Sequence, residues 1–319
     1  MNILITGGLG FIGHNLANSF DKLGCTVVIT DNRTNYGVIP KQELDYVMNE
    51  RKNKLSENVF LHSMDICMPN IDALFETYKF DIVVHTASFP RQKIVNTNPM
   101  QGSRVMSEGL LNLLELSKKH TVKKFVYLSS SMVYGTFNTT ADESWNCRPE
   151  GQYGILKLAG EQLVKDYHRR GCFDYTIIRP SAVYGPCDVE DRVVSKFILS
   201  AIRGETLQVN GQNELLDFTY IDDTIEGIVS ATLSKNTDNQ TYNISRGNGR
   251  TLLEAAQIVL GTANGGMLQV NDKDVAYPSR NQLSINKAQR DFDFAPKIDI
   301  ETGFKLYYDW IRSSTFYTK

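Results

Sequence analysis

The chain has 319 residues, of which 41% are hydrophobic and 22% are charged, and its formal net charge is -2. This length and apolar content are enough for a large buried core, in one large domain or in two coupled domains. The balanced charge indicates neither a nucleic-acid-binding surface nor a polybasic patch that binds membranes. We therefore expect a soluble globular protein.

Cysteine, histidine and hydropathy patterns exclude further classes of protein. The cysteines number five and lack C-x-x-C spacing, which argues against a disulfide framework and against structural zinc. The histidines lack the spacing of metal ligands, so no metal site is expected. No stretch reaches the ~18 uninterrupted apolar residues of a membrane span, and no cleavable signal is recognised. These patterns predict a cytoplasmic location.

The first apolar strand runs directly into a loop with the spacing G-x-x-G-x-x-G, at Gly7, Gly10 and Gly13. In a dinucleotide-binding loop the first glycine permits a sharp turn, the second lets the backbone approach the pyrophosphate, and the third lets the next helix pack closely. Phe11 and Ile12 lie in the same loop and share the predicted contact. Because ordinary strand-to-helix turns also contain glycines, this loop alone is weak evidence.

A carboxylate follows the second apolar strand, where Asp31 ends the run Thr26–Thr30 and Asn32 comes next. Its distance from the glycine loop is close to the ~20 residues at which an acidic side chain can accept the ribose hydroxyls of adenosine. A carboxylate there repels the extra phosphate of NADP, so NAD is the predicted cofactor. Arg33 nearby leaves this choice open.

Short β-branched runs alternate with helical periods along the first half of the chain. The runs cover residues 59–62, 81–85, 125–129 and 175–179, and core helices are predicted at 110–116 and 153–170. Near-continuous apolar strands are typical of a sheet buried on both faces. The alternation predicts an α/β fold, a Rossmann-type doubly wound parallel sheet.

The rhythm loosens after Pro180, where glycine-containing turns replace the repeated units. We predict an NAD-binding domain over residues 1–179 plus roughly 215–235. A smaller mixed α/β lobe over 180–214 and 236–319 is predicted to bind the substrate. Because no low-complexity linker separates the lobes, we expect a ligand cleft between them, beyond the carboxyl ends of the strands.

A tyrosine and a lysine spaced four apart, Tyr153 and Lys157, follow a serine cluster at Ser129, Ser130 and Ser131. On a helix this spacing puts both side chains on one face, one turn apart. An ammonium so close favours the phenolate and is expected to lower the tyrosine pKa from ~10, which makes a usable general base. Most such pairs are surface pairs, so the motif gains weight only from its context.

Together these motifs resemble the extended short-chain dehydrogenase/reductase family. Within it the chain is most similar to NAD-dependent nucleotide-sugar epimerases and dehydratases, and in particular to UDP-glucose 4-epimerases. The resembling stretches are residues 6–13 (TGGLGFIG), 85–88 (HTAS), 128–135 (LSSSMVYG), 153–157 (YGILK), 179–186 (RPSAVYGP) and 217–223 (DFTYIDD). The resemblance covers essentially the whole chain and is more specific for the family than for the substrate.

The resemblance implies a role for each motif residue. Ser130 is expected to hydrogen-bond the sugar hydroxyl that is oxidised, Tyr153 to remove its proton, and Lys157 to hold the nicotinamide ribose. A hydride passes from sugar C4 to NAD and returns to the other face of the keto sugar. The other implied cofactor contacts are Asp65, Ile66, Thr86, Ala87, Ser88, Ser129 and Pro180. A homodimer through a four-helix interface is also implied, formed by residues 110–119 and 153–170.

Departures from the family pattern separate its subclasses. Dehydratases carry an Asp-Glu pair after the position of Ser130, where this chain has Ser131 and Met132, which cannot act as acid and base. Met132 either fills a gap in the core or shapes the substrate site. Cys187 is interpreted as a plain loop thiol rather than as an acid or base of the reaction.

The side of the site that binds the diphosphate is irregular. The arginine that is usual in the family before Asp217 is missing, since Leu215 and Leu216 stand there, and the usual asparagine is Ala182, whereas Arg280 matches the pyrophosphate arginine. Arg192, next to Val193, and Lys196 could supply compensating charge or be solvated surface groups.

Three functions stay open on the sequence alone. The first is an NAD-dependent epimerase of a nucleotide-diphosphate sugar, most simply at C4. The second is an oxidoreductase that stops at the keto sugar with the same three residues. The third is a binding module that has kept the fold and lost the chemistry.

Overall fold

The computed structural model describes residues 1–35, 37–274 and 278–318. Strands and helices alternate in the first half of the chain, and short strands join helices in the second. The strands are β1 (Asn2–Thr6), β2 (Thr26–Thr30), β3 (Phe60–His62), β4 (Ile82–His85), β5 (Lys124–Leu128), β6 (Asp174–Pro180), β7 (Val183–Tyr184), β8 (Leu207–Asn210), β9 (Leu215–Leu216), β10 (Thr219–Tyr220), β11 (Gln240–Ile244), β12 (Arg250–Thr251) and β13 (Leu268–Asn271).

The α-helices are numbered in the same way, and a π-helical segment, Arg104–Gly109, joins two of them. They are α1 (Gly13–Lys22), α2 (Lys41–Asn53), α3 (Asp72–Tyr78), α4 (Gln92–Thr97), α5 (Pro99–Ser103), α6 (Leu110–Lys119), α7 (Gln152–Arg169), α8 (Val193–Arg203), α9 (Ile221–Leu233), α10 (Leu252–Thr262), α11 (Asn286–Phe292) and α12 (Ile300–Ser313). No helix of the described ranges is long and apolar enough to cross a bilayer.

Within the described part of the chain, seven parallel strands form the central sheet in the order β11-β6-β5-β4-β1-β2-β3. Successive side chains of β1 enter different cores: Ile3 and Ile5 pack on the side of α1 and α9, and Leu4 packs on the side of α3, α6 and α7. Burial on both faces explains why the strands are apolar throughout. The predicted doubly wound α/β fold is confirmed.

The second half of the chain covers the carboxyl edge of the sheet with α8, α10, α12 and two-stranded ribbons. Helix α9 returns to pack against α1, and β11 adds the last strand beside β6. Residues 240–244 therefore lie in the central sheet, whereas the predicted division placed them in the substrate lobe. A run of five residues gives no sequence signal for which sheet it joins. The division into lobes otherwise stays a prediction.

The turn between β1 and α1 depends on glycines, which lack a side chain. Gly7 has a positive φ of 69°, and a Cβ atom there would lie 2.7 Å from the Cα of Ala87. A Cβ atom on Gly13 would lie 2.3 Å from the carbonyl oxygen of Gly7. The predicted close packing of the glycine loop against the first helix is thus a steric requirement of this turn.

We expect Gly13→Ala to lower the free energy of unfolding by about 1–3 kcal/mol, because its methyl group meets backbone atoms that cannot rotate away. Gly261→Ala is the matched control, since no heavy atom lies within 4 Å of a Cβ atom there. In helix α10 that change should be neutral or stabilising by up to about 1 kcal/mol. Urea unfolding of both variants measures the difference, and equal stabilities would contradict the steric account.

Candidate active site

A cavity of about 980 Å³ lies over the carboxyl ends of the central strands, between the sheet and the segments that follow β6. Every residue that the sequence placed in the site lines this cavity except Asp65. Those lining it are Gly7, Gly10, Phe11, Ile12, Gly13, Asp31, Asn32, Ile66, Thr86, Ala87, Ser88, Ser129, Ser130, Ser131, Met132, Tyr153, Lys157, Pro180, Arg192, Val193 and Arg280. The tertiary structure thus brings both predicted ligand sites into one continuous space.

The glycine loop and Asp31 form one end of the cavity. The Asp31 carboxylate accepts hydrogen bonds from the backbone N–H groups of Leu9, at 3.0 Å, and Arg33, at 2.7 Å. Burial raises the pKa of Asp31, and these two hydrogen bonds oppose that shift. Because glycine backbone, the N-terminus of α1 and a fixed carboxylate meet here, the residues fit the pyrophosphate and ribose of a dinucleotide.

Asp65 is not among the residues that line the cavity, whereas the next residue, Ile66, is. The Asp65 carboxylate accepts from the side chain of Asn32 at 3.2 Å and from the backbone N–H of Cys67 at 2.8 Å. Asn32 itself lines the cavity. The expected adenine contact of Asp65 and Ile66 stays a prediction.

The helix that carries Tyr153 and Lys157 packs closely on the serine turn after β5. A Cβ atom on Gly154 would lie 2.6 Å from the carbonyl oxygen of Met132, so only glycine lets α7 approach this far. The Lys157 ammonium donates to the Leu128 carbonyl at 2.6 Å and lies 5.9 Å from the centre of the Tyr153 ring. Ser130 is close enough to Tyr153 to lower the pKa of its hydroxyl. The three predicted catalytic side chains thus line the same cavity, with Tyr153 next to both of the others.

The pKa of Tyr153 differs in direction from the sequence-based expectation. Burial raises it above 10, whereas the hydrogen bond with Ser130 and the charges of Arg192 and Arg91 act to lower it. Burial also lowers the pKa of Lys157 to about 7, against the opposing charge of Glu161. The buried Lys157 side chain is therefore only partly charged at neutral pH. Desolvation of the phenolate is the largest effect on the pKa of Tyr153.

A buried ionic network joins the middle of α7 to the sheet. Glu161 accepts from the Ser129 hydroxyl at 2.6 Å and from two nitrogens of Arg179, at 2.9 and 2.6 Å. Arg179 also donates to the Tyr134 hydroxyl at 3.0 Å, and that hydroxyl donates to Asn243 of β11 at 2.7 Å. Sequence reasoning missed this network, although Glu161 follows Lys157 by one helical turn.

Two arginines that no motif marks also belong to the site. Arg51 of α2 donates to the carbonyl oxygens of Leu9, at 3.1 Å, and Cys187, at 2.7 Å. These hydrogen bonds join the glycine loop to the segment after β7. Arg91, in the loop after β4, lines the cavity beside Arg192. Neither could be found from the sequence, because each is a lone arginine that long-range folding brings to the site.

Several residues whose roles the sequence left open lie in or near the cavity. Met132 is buried and lines the cavity. Cys187 is fully buried, with its Sγ 3.1 Å from the Lys54 ammonium, and it is not among the residues that line the cavity. Lys196 forms an ion pair with Asp191 at 3.0 Å. Ala182 and Leu216 line the cavity where the family usually has polar groups.

Comparison with known proteins agrees with this geometry. Residues 3–245 match the model of the NAD-dependent epimerase/dehydratase family. The chain belongs to this family.

Similar members of the family align along nearly the whole chain. A putative UDP-glucose 4-epimerase of Methanocaldococcus jannaschii is 27% identical over 98% of this chain and 99% of its own length. A UDP-glucuronate 4-epimerase of Thermodesulfobacterium geofontis is 29% identical over 98% of this chain and 96% of its own. The UDP-glucuronic acid 4-epimerase of Bacillus cereus, solved with UDP-glucuronic acid and NAD, superposes with a TM-score of 0.89 at 26% identity, over 98% of this chain and 99% of that one.

The low pKa of Lys157 predicts a pH-dependent stability. In the unfolded chain the Lys157 side chain stays protonated up to pH ~10.4, whereas in the folded protein it loses its proton near pH 7. Burying the charged ammonium destabilises the folded protein. This destabilisation disappears as the pH rises above 7 and the buried group becomes neutral. Between pH 7 and 10 the free energy of unfolding of the ligand-free wild type should rise relative to Lys157→Met, by at most about 1.4 kcal/mol per pH unit.

Urea unfolding at several pH values measures this difference. Lys118→Met on α6 is the control, since the Lys118 side chain is half-exposed to water in the folded protein. The stability difference between wild type and Lys118→Met should not rise with pH. A difference between wild type and Lys157→Met that stays constant across this range would contradict the prediction.

Proposed function

We propose that the protein is an NAD-dependent 4-epimerase of a nucleotide-activated sugar. The observation that carries the proposal is that Ser130, Tyr153 and Lys157 line the same cavity as the glycine loop that fits a dinucleotide. The family to which the chain belongs consists of NAD-dependent enzymes. Similar proteins that act on UDP-glucose and UDP-glucuronate at C4 support the substrate class.

In the proposed reaction, the residues of the site hold the C4 hydroxyl in position and accept its proton. Ser130 accepts or donates a hydrogen bond at the C4 hydroxyl of the sugar, and Tyr153 takes its proton as the C4–H bond breaks. Lys157 is held by Leu128 so that its ammonium faces the ring side of Tyr153. When bound, NAD supplies the hydride acceptor and a positive ring charge that favours the phenolate.

Return of the hydride to the opposite face of the 4-keto sugar completes epimerisation. The cavity of about 980 Å³ is lined both by the glycine loop and by the segments after β6, so that cofactor and sugar would share one space. Ser131 and Met132 stand where a dehydratase needs an acid and a base, so elimination of water is not supported. An oxidoreductase that releases the keto sugar is the second candidate, and the three shared residues cannot separate it from an epimerase.

We further propose a homodimer built on α6 and α7. Leu111 on α6 is 38% exposed and Ile155 on α7 is 52% exposed, both on helices that pack side by side on the same face of the sheet. Large apolar side chains on adjacent helices suit a four-helix interface with a second copy. A cytoplasmic location stays a prediction from the sequence.

Tyr153→Phe should reduce turnover of a nucleotide sugar about 10²–10⁴-fold while NAD binding stays nearly unchanged, because only the proton acceptor is lost. Tyr46→Phe is the control, since its hydroxyl hydrogen-bonds Ser314, away from the cavity. Conversion is followed by NMR with a panel of UDP-, GDP-, CDP- and dTDP-sugars. Full activity of Tyr153→Phe would overturn the proposed base.

The same assay separates the candidate functions. An epimerase gives the C4 epimer without net NADH, whereas an oxidoreductase gives NADH in proportion to product. A protein that binds NAD and converts none of the sugars would be the non-catalytic binding module.

Ile155→Arg should convert the dimer to a monomer in dilute solution, because a charge would be buried in the proposed interface. Leu306→Arg on α12, at a leucine of similar exposure (43%), is the control and should leave the mass unchanged. Light scattering after size-exclusion chromatography measures the mass. A wild-type monomer, or a dimer that survives the change at Ile155, would contradict this interface.

A further inference from the structure

Arg51 of helix α2 is a buried cation whose hydrogen bonds all go to neutral backbone groups. Its Nη1 donates to the Leu9 carbonyl at 3.1 Å, and its Nε and Nη2 donate to the Cys187 carbonyl at 3.0 and 2.7 Å. A guanidinium has five N–H groups, so these three bonds leave two without a partner in the described ranges. In those ranges no carboxylate lies within ion-pair distance of the Arg51 nitrogens.

The Leu9 carbonyl that Arg51 holds belongs to the glycine loop. The N–H of Leu9 donates to the Asp31 carboxylate at 3.0 Å, so this residue is fixed from both sides. Gly10 follows directly, and its N–H donates to the Gly7 carbonyl at 2.9 Å. Arg51 lines the same cavity as both glycines. The cation is therefore bonded to the part of the chain whose backbone is expected to approach a pyrophosphate.

A buried guanidinium without a contacting carboxylate is unfavourable, because the charge loses water and gains no counter-ion. Burial lowers the pKa of Arg51, and Asp188 is the largest charge that opposes this shift. Asp188 lies 3.7 Å from Arg192, and Asp31 accepts from two backbone N–H groups, so both nearby carboxylates have other partners. An anion that enters the cavity beside the glycine loop would supply the missing counter-charge.

The start of helix α1 supplies backbone donors beside this cation. In the described part of the chain, the N–H groups of Phe11 and Ile12 have no hydrogen-bond partner, and both residues line the cavity. Ile12 occupies the N-cap position and offers no side-chain hydrogen bond to the helix. Unpartnered N–H groups at a helix N-terminus attract anions. The buried guanidinium is a second, independent indication that an anion binds here.

We propose that Arg51 supplies the positive charge that balances the pyrophosphate of the bound dinucleotide, and that it positions the glycine loop for this ligand by holding Leu9. Interactions between a guanidinium and a phosphate are charge-assisted and stronger than those of neutral donors. The contribution of Arg51 therefore belongs to the pyrophosphate and not to adenosine, whose ribose is expected at Asp31. This inference rests on the cofactor site of the proposed function.

The same helix also docks on the second half of the chain, and this separate role needs its own control. Glu43 lies on the face of α2 that carries Arg51, two turns earlier, and is buried. Its carboxylate accepts from the Glu190 N–H at 2.5 Å and from the Tyr317 hydroxyl at 2.8 Å. Glu43 is not among the residues that line the cavity. Changing Glu43 therefore disturbs the docking of α2 without touching the glycine loop.

Isothermal titration of the full-length, cofactor-free chain with NAD, ADP-ribose and adenosine compares two pyrophosphates with a nucleoside. We expect Arg51→Met to weaken NAD and ADP-ribose by about 10- to 100-fold and adenosine by less than about twofold. Lys52→Met makes the same change of charge at the next, exposed residue of α2, and it should change all three affinities by less than about twofold. Equal weakening of ADP-ribose and adenosine by Arg51→Met would overturn the inference.

Three further variants separate charge from docking and replace Arg51→Met if it fails to fold. Arg51→Lys keeps the charge and should retain the preference for ADP-ribose over adenosine to within about fivefold, whereas the neutral Arg51→Gln should lose about 10-fold or more of it. The reverse order would contradict the role of charge. Glu43→Leu should leave this preference unchanged, and a loss as large as that of Arg51→Gln would assign the effect to docking and overturn the inference. Because no sugar takes part, failure here is distinct from failure of the proposed function, which the turnover assay decides.

Discussion

The active site depends on how α7 is fixed to the end of β5. The Lys157 ammonium donates to the Leu128 carbonyl at 2.6 Å, and one turn further along the helix Glu161 accepts from Ser129 at 2.6 Å and from Arg179. Charged groups removed from water are tolerated only when they are partnered, so these contacts define one rotation of the helix against the sheet. Tyr153, one turn before Lys157, is thereby placed against Ser130.

The parallel sheet explains why one cavity can hold two ligands. All seven strands of the described central sheet run the same way, so the loops after β1, β2, β4, β5 and β6 open at one edge. The chain reverses its winding direction between β1 and β4, and ligands of doubly wound sheets bind at such a switch point. Glycine backbone forms one end of this space, and the segments after β6 close the other.

Charges of both signs line the cavity. Asp31 supplies a carboxylate beside the glycine loop, and Arg91, Arg192 and Arg280 supply guanidinium groups elsewhere in the same cavity. Burial raises the pKa of Tyr153, and the charges of Arg192 and Arg91 act to lower it. An anionic ligand that neutralised those arginines would therefore remove part of the effect that lowers the pKa of Tyr153.

The sequence by itself determined the features that depend on local spacing: the apolar strands, the glycine turn, the four-residue separation of Tyr153 and Lys157, and from these the fold class and the family. The tertiary structure decided what depends on distance along the chain. It placed β11 in the central sheet, joined the Asp65 carboxylate to Asn32 and Cys67, and made desolvation rather than the nearby ammonium dominate the pKa of Tyr153. Arg91 and Arg192 are 101 positions apart in the sequence, and only the packing of the segment after β6 over the sheet brings them into one cavity.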